Sequence, residues 1–435
     1  MSFVQHILRI RIHPTLAVVA VFMVTVFGAY MYISAYSRLD VRTNNTNDQI
    51  LVDDQNIDQA TNVGNMKSWR PESIPKSHDF EFVSINNRTH QLSGATDNNT
   101  AIVKSMFVDR DLFVNTTGEI AKHKILFWNP PGWMINWFSD TDMTQCNYKN
   151  CKISYDQREF FTSKAVVYSI PDAGMDHRPP VSPAQRNPDQ AWIFFTLESP
   201  VHLVRKEFRS PHWHNTFNWS WTYRTDSDIF HPYGLLKTRT KLLAKNYTEI
   251  FNRKTKMAAW AVSHCSTYSV RERFVQLLSR HVKVDIYGKC GLQPPQDLDA
   301  ILDNDYTFYL GFENSFCQDY MTEKLFQYYK RDLITVVRGS MGYAKYLPQE
   351  TFVNAADFRS VKELGEFLNR LSNNEDEYIE YLRRKDSYEV YEREYVFRDA
   401  MCNICDKINN LEKYRKVYKN IIEWLGNCYS ANDLN

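Results

Sequence analysis

The chain lacks the familiar nucleotide signatures. Neither G-x-G-x-x-G nor G-x-x-x-x-G-K-S/T occurs in its 435 residues, so neither a glycine-rich dinucleotide turn nor a P-loop follows from the sequence. Any phosphate must be held another way. It has almost no net charge: the formal value of +1 leaves no clustered basic excess, which argues against a nucleic-acid partner. Glycine is scarce at 14 residues while aromatics reach 14%, a balance that leans toward a rigid, aromatic-rich interior. Around Cys402-Asn-Ile-Cys405 there is no thioredoxin-like βαβ pattern, no second C-x-x-C and no nearby His pair. Redox and zinc readings of that motif therefore lapse, and structural disulfides are expected.

A long hydrophobic run is present at the N-terminus. Residues 15–34 (TLAVVAVFMVTVFGAYMYIS) hold no Asp, Glu, Lys or Arg, enough to span a bilayer, and Arg9 and Arg11 precede them. The expectation is an uncleaved type II anchor, with residues 1–14 cytoplasmic and everything after about Arg38 across the membrane. A cleaved signal peptide would carry a shorter apolar region. Six N-x-S/T sequons (Asn44, Asn87, Asn98, Asn115, Asn218, Asn246) and all eight cysteines follow the anchor, as a lumenal domain requires. From Arg38 to about Lys122 the chain is polar and aperiodic, and reads as a stem.

Order begins at Lys124. Apolar runs at 124–128, 165–170 and 191–196 do not alternate with polar residues, which predicts strands of a parallel sheet covered on both faces. A second block has strands at 257–262, 282–287, 306–312 and 333–337, with helices over 270–281, from about Asp319 to Arg331, and after Ser360. Regular alternation of strand and helix predicts two α/β domains facing a cleft. With 435 residues, two packed domains after a short tail is also the natural division.

Two helix starts offer anion sites. Ser269-Val-Arg-Glu272 has capping-box spacing, which places Arg271 in a first turn beside free backbone N–H groups. Farther on, the buried strand FYLGF runs into Glu313-Asn-Ser, followed by Asp319-Tyr-Met-Thr-Glu-Lys324. Ligands of open α/β sheets sit at such strand-to-helix junctions, so Glu313, Asn314, Tyr320, Glu323 and Lys324 are expected to converge.

FYLGFENSFCQDYMTEKL resembles the donor-site signature of the α1,3-fucosyltransferases (glycosyltransferase family 10), usually FYLAFENS…DYITEKL. TLESP, FNWSWTYRTDSDIFHPYG, VDIYG and the paired C-terminal cysteines follow that family's order over roughly residues 122–430. Thr335 and Arg338 depart from its P-V-V-x-G strand, and the region after Tyr168 lacks a His pair seen in many members. The resemblance implies a GT-B-type fold of two Rossmann-like α/β domains: an acceptor side over 122–250, and a GDP-fucose side over 251–435 that includes the C-terminal segment. It implies inverting transfer of L-fucose from GDP-fucose to an N-acetylglucosamine-type hydroxyl of a glycan, on a Golgi membrane protein, with no cofactor required and a divalent metal at most stimulatory. Glu198 is implied as the base, Arg271 and Lys324 as the pyrophosphate clamp, Glu323 as a fucose contact, and Glu313, Asn314 and Tyr320 as donor-pocket residues. It also implies that Cys146 and Cys151 pair with Cys402 and Cys405, in an order left open.

Two rival readings stand beside this one. A metal-dependent transferase could use Asp140-Thr-Asp142, Asp226-Ser-Asp228, Asp297-Leu-Asp299 or Asp303-Asn-Asp305. An inactive, membrane-anchored glycan-binding protein could stack sugars on its tryptophans.

Overall fold

The structure, a computed structural model, describes residues 123–434 except 139–140, 142, 171–176, 204–206, 341 and 392. The expected tail, anchor and stem, the sequons at Asn44, Asn87, Asn98 and Asn115, and Asp140 and Asp142 lie outside the described residues. Among those described, no helix is long and apolar enough to cross a membrane.

Six parallel strands form the first sheet: β1 (His123–Phe127), β2 (Cys151–Ser154), β3 (Ala165–Ser169), β4 (Ala191–Thr196), β5 (Trp219–Thr222) and β6 (Ile229–Phe230). Their order is β2-β1-β3-β4-β5-β6. Successive side chains of a strand point to opposite faces, and here both faces are covered. Ile125, Phe127, Val167, Ile193 and Phe195 belong to one buried cluster, while Leu126, Val166, Tyr168, Trp192 and Phe194 belong to another. That double burial is why the strands read as unbroken apolar runs.

Next comes β7 (Leu235–Thr238), and then a second parallel sheet of β8 (Lys256–Ala261), β9 (Val284–Tyr287), β10 (Tyr306–Phe312), β11 (Ile334–Arg338) and β12 (Val353–Asn354). Its order, β12-β11-β10-β8-β9, repeats the 2-1-3-4-5 arrangement of the first sheet. Each sheet therefore reverses direction between its first and third strands, and a crevice opens at the carboxyl ends there. Between β10 and the helix Glu323–Tyr329, a Cβ on Gly311 would lie 2.6 Å from the Lys324 carbonyl oxygen. Glycine at the position where the family motif usually has alanine thus lets the helix carrying Lys324 lie close on the strand.

The structure departs from the sequence reading in four places. The helix expected from Asp319 starts at Glu323 with Thr322 as its N-cap, because Asp319 takes a positive φ of 56° and its carboxylate accepts from Thr225 N and Oγ1. The helix expected over 270–281 spans Arg271–Leu278, and no Ser269 capping box forms. Instead Val270 caps it in the left-handed region, Ser269 Oγ donates to Glu313 O, and the Glu272 carboxylate reaches back to Thr267. The third departure is the C-terminal segment, assigned from sequence to the second block. Its helix Arg393–Asn409 packs Phe397, Met401, Ile404 and Ile408 on the first sheet. The fourth is a small antiparallel ribbon of β7 with β13 (Tyr388–Tyr391), which pairs the segment leaving the first sheet with the one returning to it.

Disulfides fix that return. Cys146–Cys402 and Cys151–Cys405 join the first sheet's edge to one face of the helix Arg393–Asn409, as i, i+3 neighbours allow. Cys265–Cys290 and Cys317–Cys428 complete the set, leaving no free cysteine. Of the two described sequons, Asn246 caps a helix with exposed bonds, whereas Asn218 is bonded at both ends of its amide, to Trp192 N and Lys416 O, and serves the fold.

The chain end also holds a buried charge. Arg338 is 2% exposed; it forms two 2.7 Å bonds with Asp433, donates to Ser269 O, and lies between the rings of Phe274 and Phe316. Asp433→Asn strips the guanidinium of its counter-charge and is expected to cost about 2–4 kcal/mol, below the fully buried case because Asp433 is partly exposed. A urea midpoint unchanged from wild type would show that the pair does not anchor the tail.

Candidate active site

One cleft of ≈ 320 Å³ opens between the carboxyl ends of the two sheets, within the range of small-molecule sites. Glu198 and Tyr233 reach it from the first sheet. From the second come Ser263, His264 and Arg271 after β8, Asn314 and Tyr320 after β10, and Glu323 and Lys324 from the following helix. Six of the seven residues singled out from sequence therefore line one space. Glu313 is the exception, fully buried behind the wall.

Glu198 follows β4 in a turn stitched to the opposite side. Its backbone N donates to Thr196 Oγ1, the Tyr233 hydroxyl donates to Leu197 O at 2.6 Å, and Ser315 Oγ donates to Ser199 Oγ at 2.7 Å. The Tyr320 hydroxyl lies 3.4 Å from Glu198 Oε2, with its ring edge-on to Tyr223 and Tyr233. Tyr320 thus lines the cleft and also faces the carboxylate, a contact that its place in the motif did not reveal.

On the facing wall, Arg271 is 5% exposed and donates to Phe312 O and His264 O. Burial lowers its pKa, against the pull of Glu313. Its Nε is buried with no partner among the described residues, an N–H left to meet an anion. Lys324 Nζ donates to Thr322 Oγ1 at 2.8 Å and Glu323 Oε1 at 2.9 Å, and lies 3.2 Å from Glu313 Oε2. Burial pulls the ammonium down, but the two carboxylates outweigh it and raise its pKa. Burial pushes the Glu313 carboxyl up against the opposing effect of Lys324 and the two Thr322 donors. For Glu323 the same burial is outweighed by the neighbouring ammonium, and its pKa falls.

Thr322 went unnoticed in the sequence. It caps the helix, holds the Glu313 carboxylate and accepts from Lys324, and this joint duty depends on a contact across nine residues. Ser263 and His264 were legible in principle, because they follow β8 at the sheet's reversal point. The described Asp-x-Asp carboxylates point elsewhere. Asp226 pairs with Arg224, Asp228 with Lys416, Asp297 caps a helix, Asp299 and Asp303 bind Arg331, and Asp305 binds Lys256. Among the described residues no His, Cys, Asp and Glu group is arranged to hold a metal ion.

Sequence comparison bears on the same residues. Residues 120–234 match the profile "Fucosyltransferase, N-terminal" and 251–424 the profile "Glycosyltransferase family 10 (fucosyltransferase) C-term". An alpha-(1,3)-fucosyltransferase C of Drosophila melanogaster is 32% identical over 333 residues, 68% of this chain and 75% of that protein. The chain belongs to glycosyltransferase family 10, the fucosyltransferases. A Bos taurus family member named as a 3-galactosyl-N-acetylglucosaminide 4-alpha-L-fucosyltransferase is also 32% identical, over 63% of this chain and 74% of its own length. An alpha1,3-fucosyltransferase crystallised with GDP-fucose superposes with a TM-score of 0.46 at 16% identity, covering 73% of this chain and 98% of that one. In this fucosyltransferase both matched halves contribute to the cleft, Glu198 from the N-terminal one and Arg271 to Lys324 from the C-terminal one.

Proposed function

We propose that this chain is an inverting α1,3-fucosyltransferase that moves L-fucose from GDP-fucose to an N-acetylglucosamine-type hydroxyl of a glycan. The observation that carries the reading is one cleft with the Glu198 carboxylate on the first-sheet wall and Arg271 and Lys324 on the other. Inversion needs a base on the acceptor hydroxyl, opposite the leaving group, and an anion clamp behind that group. Glu198 takes the acceptor proton as the hydroxyl attacks the fucose anomeric carbon. Arg271 and Lys324 meet the negative charge that grows on the departing pyrophosphate, and Arg271 brings a buried N–H that has no other partner among the described residues. Glu323, on the first turn of its helix, is the contact for the fucose ring; Asn314 and Tyr320 shape the donor pocket, and Glu313 supports it from behind through Thr322.

With two cationic side chains in the clamp, transfer proceeds without a required metal, and a divalent ion is at most stimulatory. The GT-B-type label, the α1,3 linkage, the type II anchor over residues 15–34 and the Golgi location with a lumenal catalytic domain belong to the same proposal. The two named relatives differ between a 3- and a 4-linkage, so the linkage rests on the motif rather than on them. Purified full-length chain, offered GDP-fucose, UDP-sugars and CMP-sugars with a panel of N-acetylglucosamine-bearing acceptors, should turn over GDP-fucose alone. Equal turnover of a UDP-sugar would refute the donor assignment.

A further inference from the structure

Beside the clamp, two imidazoles meet from opposite sheets. His202 ends the short turn Pro200–His202 that follows Glu198, and His264 lines the cleft after β8. Their ring centres are 6.0 Å apart, and the Tyr268 ring stands edge-on to His202 at 5.6 Å. His202 lies beside the side chain of Asn314, itself a cleft residue, and its Nε2 is buried with no partner among the described residues.

We propose that His202, set against the His264 ring, accepts a proton when the pyrophosphate of a nucleotide-sugar enters the cleft, so that donor binding tightens as pH falls. The inference rests on the donor reading above and adds a pH-dependent component to the clamp. Burial and then the nearby His264, Arg271 and Lys324 hold the His202 pKa below its ordinary value of 6.5. The groups acting on it are His264 and Tyr268 from the loop after β8, Arg271 from the helix that follows, and Lys324 from the helix after β10. A pyrophosphate between these cations reverses the local field. The anion then favours imidazolium, and the unpartnered Nε2 becomes an N–H donor on protonation.

The sign follows from linkage. A group whose pKa rises on binding takes up a proton, and affinity falls as pH rises through the interval between its free and bound values. GDP-fucose is the suitable probe: its diesterified pyrophosphate has no group titrating near neutrality, whereas the terminal phosphate of GDP does. Calorimetry of GDP-fucose binding to the full-length chain, in two buffers of different ionisation enthalpy, reads the proton directly. Net proton uptake near pH 6.5 is expected, with affinity falling about three- to tenfold between pH 6 and 7.5. In His202→Asn/His264→Asn both effects should vanish while folding, checked by thermal melting, is kept. Binding by wild type without proton uptake would overturn the proposal. So would uptake undiminished in the double variant. Absence of any GDP-fucose binding would overturn the donor reading itself and this proposal with it.

Discussion

Glu198→Gln is expected to lower kcat by about 10²–10⁴ while GDP-fucose affinity stays near wild type. Glutamine keeps the length and shape of the side chain, so the turn held by Tyr233 and by the Ser199–Ser315 bond has no reason to move. Only proton removal in the transition state is lost. Glu198 also stands apart from Arg271 and Lys324, across the cleft in the first-sheet wall, so the cations proposed to bind the donor are untouched. Donor titration followed by turnover at saturating acceptor separates the two quantities. A variant that lost donor affinity but kept turnover at saturation would make Glu198 a structural carboxylate.

Lys324→Ala should fail differently and more broadly. In the proposed mechanism its ammonium meets the donor in the ground state and more strongly as the pyrophosphate leaves, so affinity and kcat should both fall, kcat by about 10²–10³. It also neutralises Glu313, which has no exposed surface. Removing one partner of a buried pair leaves an uncompensated charge, worth about 3–5 kcal/mol of stability. Without the lysine, the Glu313 carboxyl, already pushed up by burial, titrates higher still. A carboxyl raised in the folded state binds more protons than in the unfolded one. The variant should thus be most stable in acid and lose stability as pH rises from the ordinary carboxyl range. Adding Glu313→Gln to Lys324→Ala should restore the urea midpoint without restoring donor affinity. Recovery of both would mean that Lys324 acts only through the fold.

What could be read from sequence follows from which interactions are local. Strands such as 191–196 and 306–312 were legible to the residue because burial on both faces writes itself as an unbroken apolar run. Helix starts were less so. Ser269-Val-Arg-Glu272 has the right spacing for a capping box, yet Ser269 is drawn to the Glu313 carbonyl 44 residues away and Glu272 to Thr267, so tertiary partners override the local motif. Asp319 likewise follows Thr225, on the other half of the molecule, rather than opening a helix. The cysteine partnership came from family resemblance, but its order depends on how the helix Arg393–Asn409 lies on the first sheet, which no local pattern encodes. Asn314, Tyr320, Glu323 and Lys324 fall in one cleft, as expected, because a polar cluster straight after an apolar strand is itself a local signal. Glu313 joined that cluster by sequence and left it by geometry, since its side chain turns back under Thr322.

The measurement that bears most directly on the central claim is the anomeric configuration of the fucoside formed from GDP-β-L-fucose by the full-length chain, read by NMR in the presence of EDTA. A base on one face of the sugar and a cationic clamp on the other yield an α-linked product, formed without added metal. A β-linked product would mean retention, and Glu198 would then be no base of a single displacement. Loss of all transfer in EDTA would mean that Arg271 and Lys324 do not suffice to carry the leaving pyrophosphate.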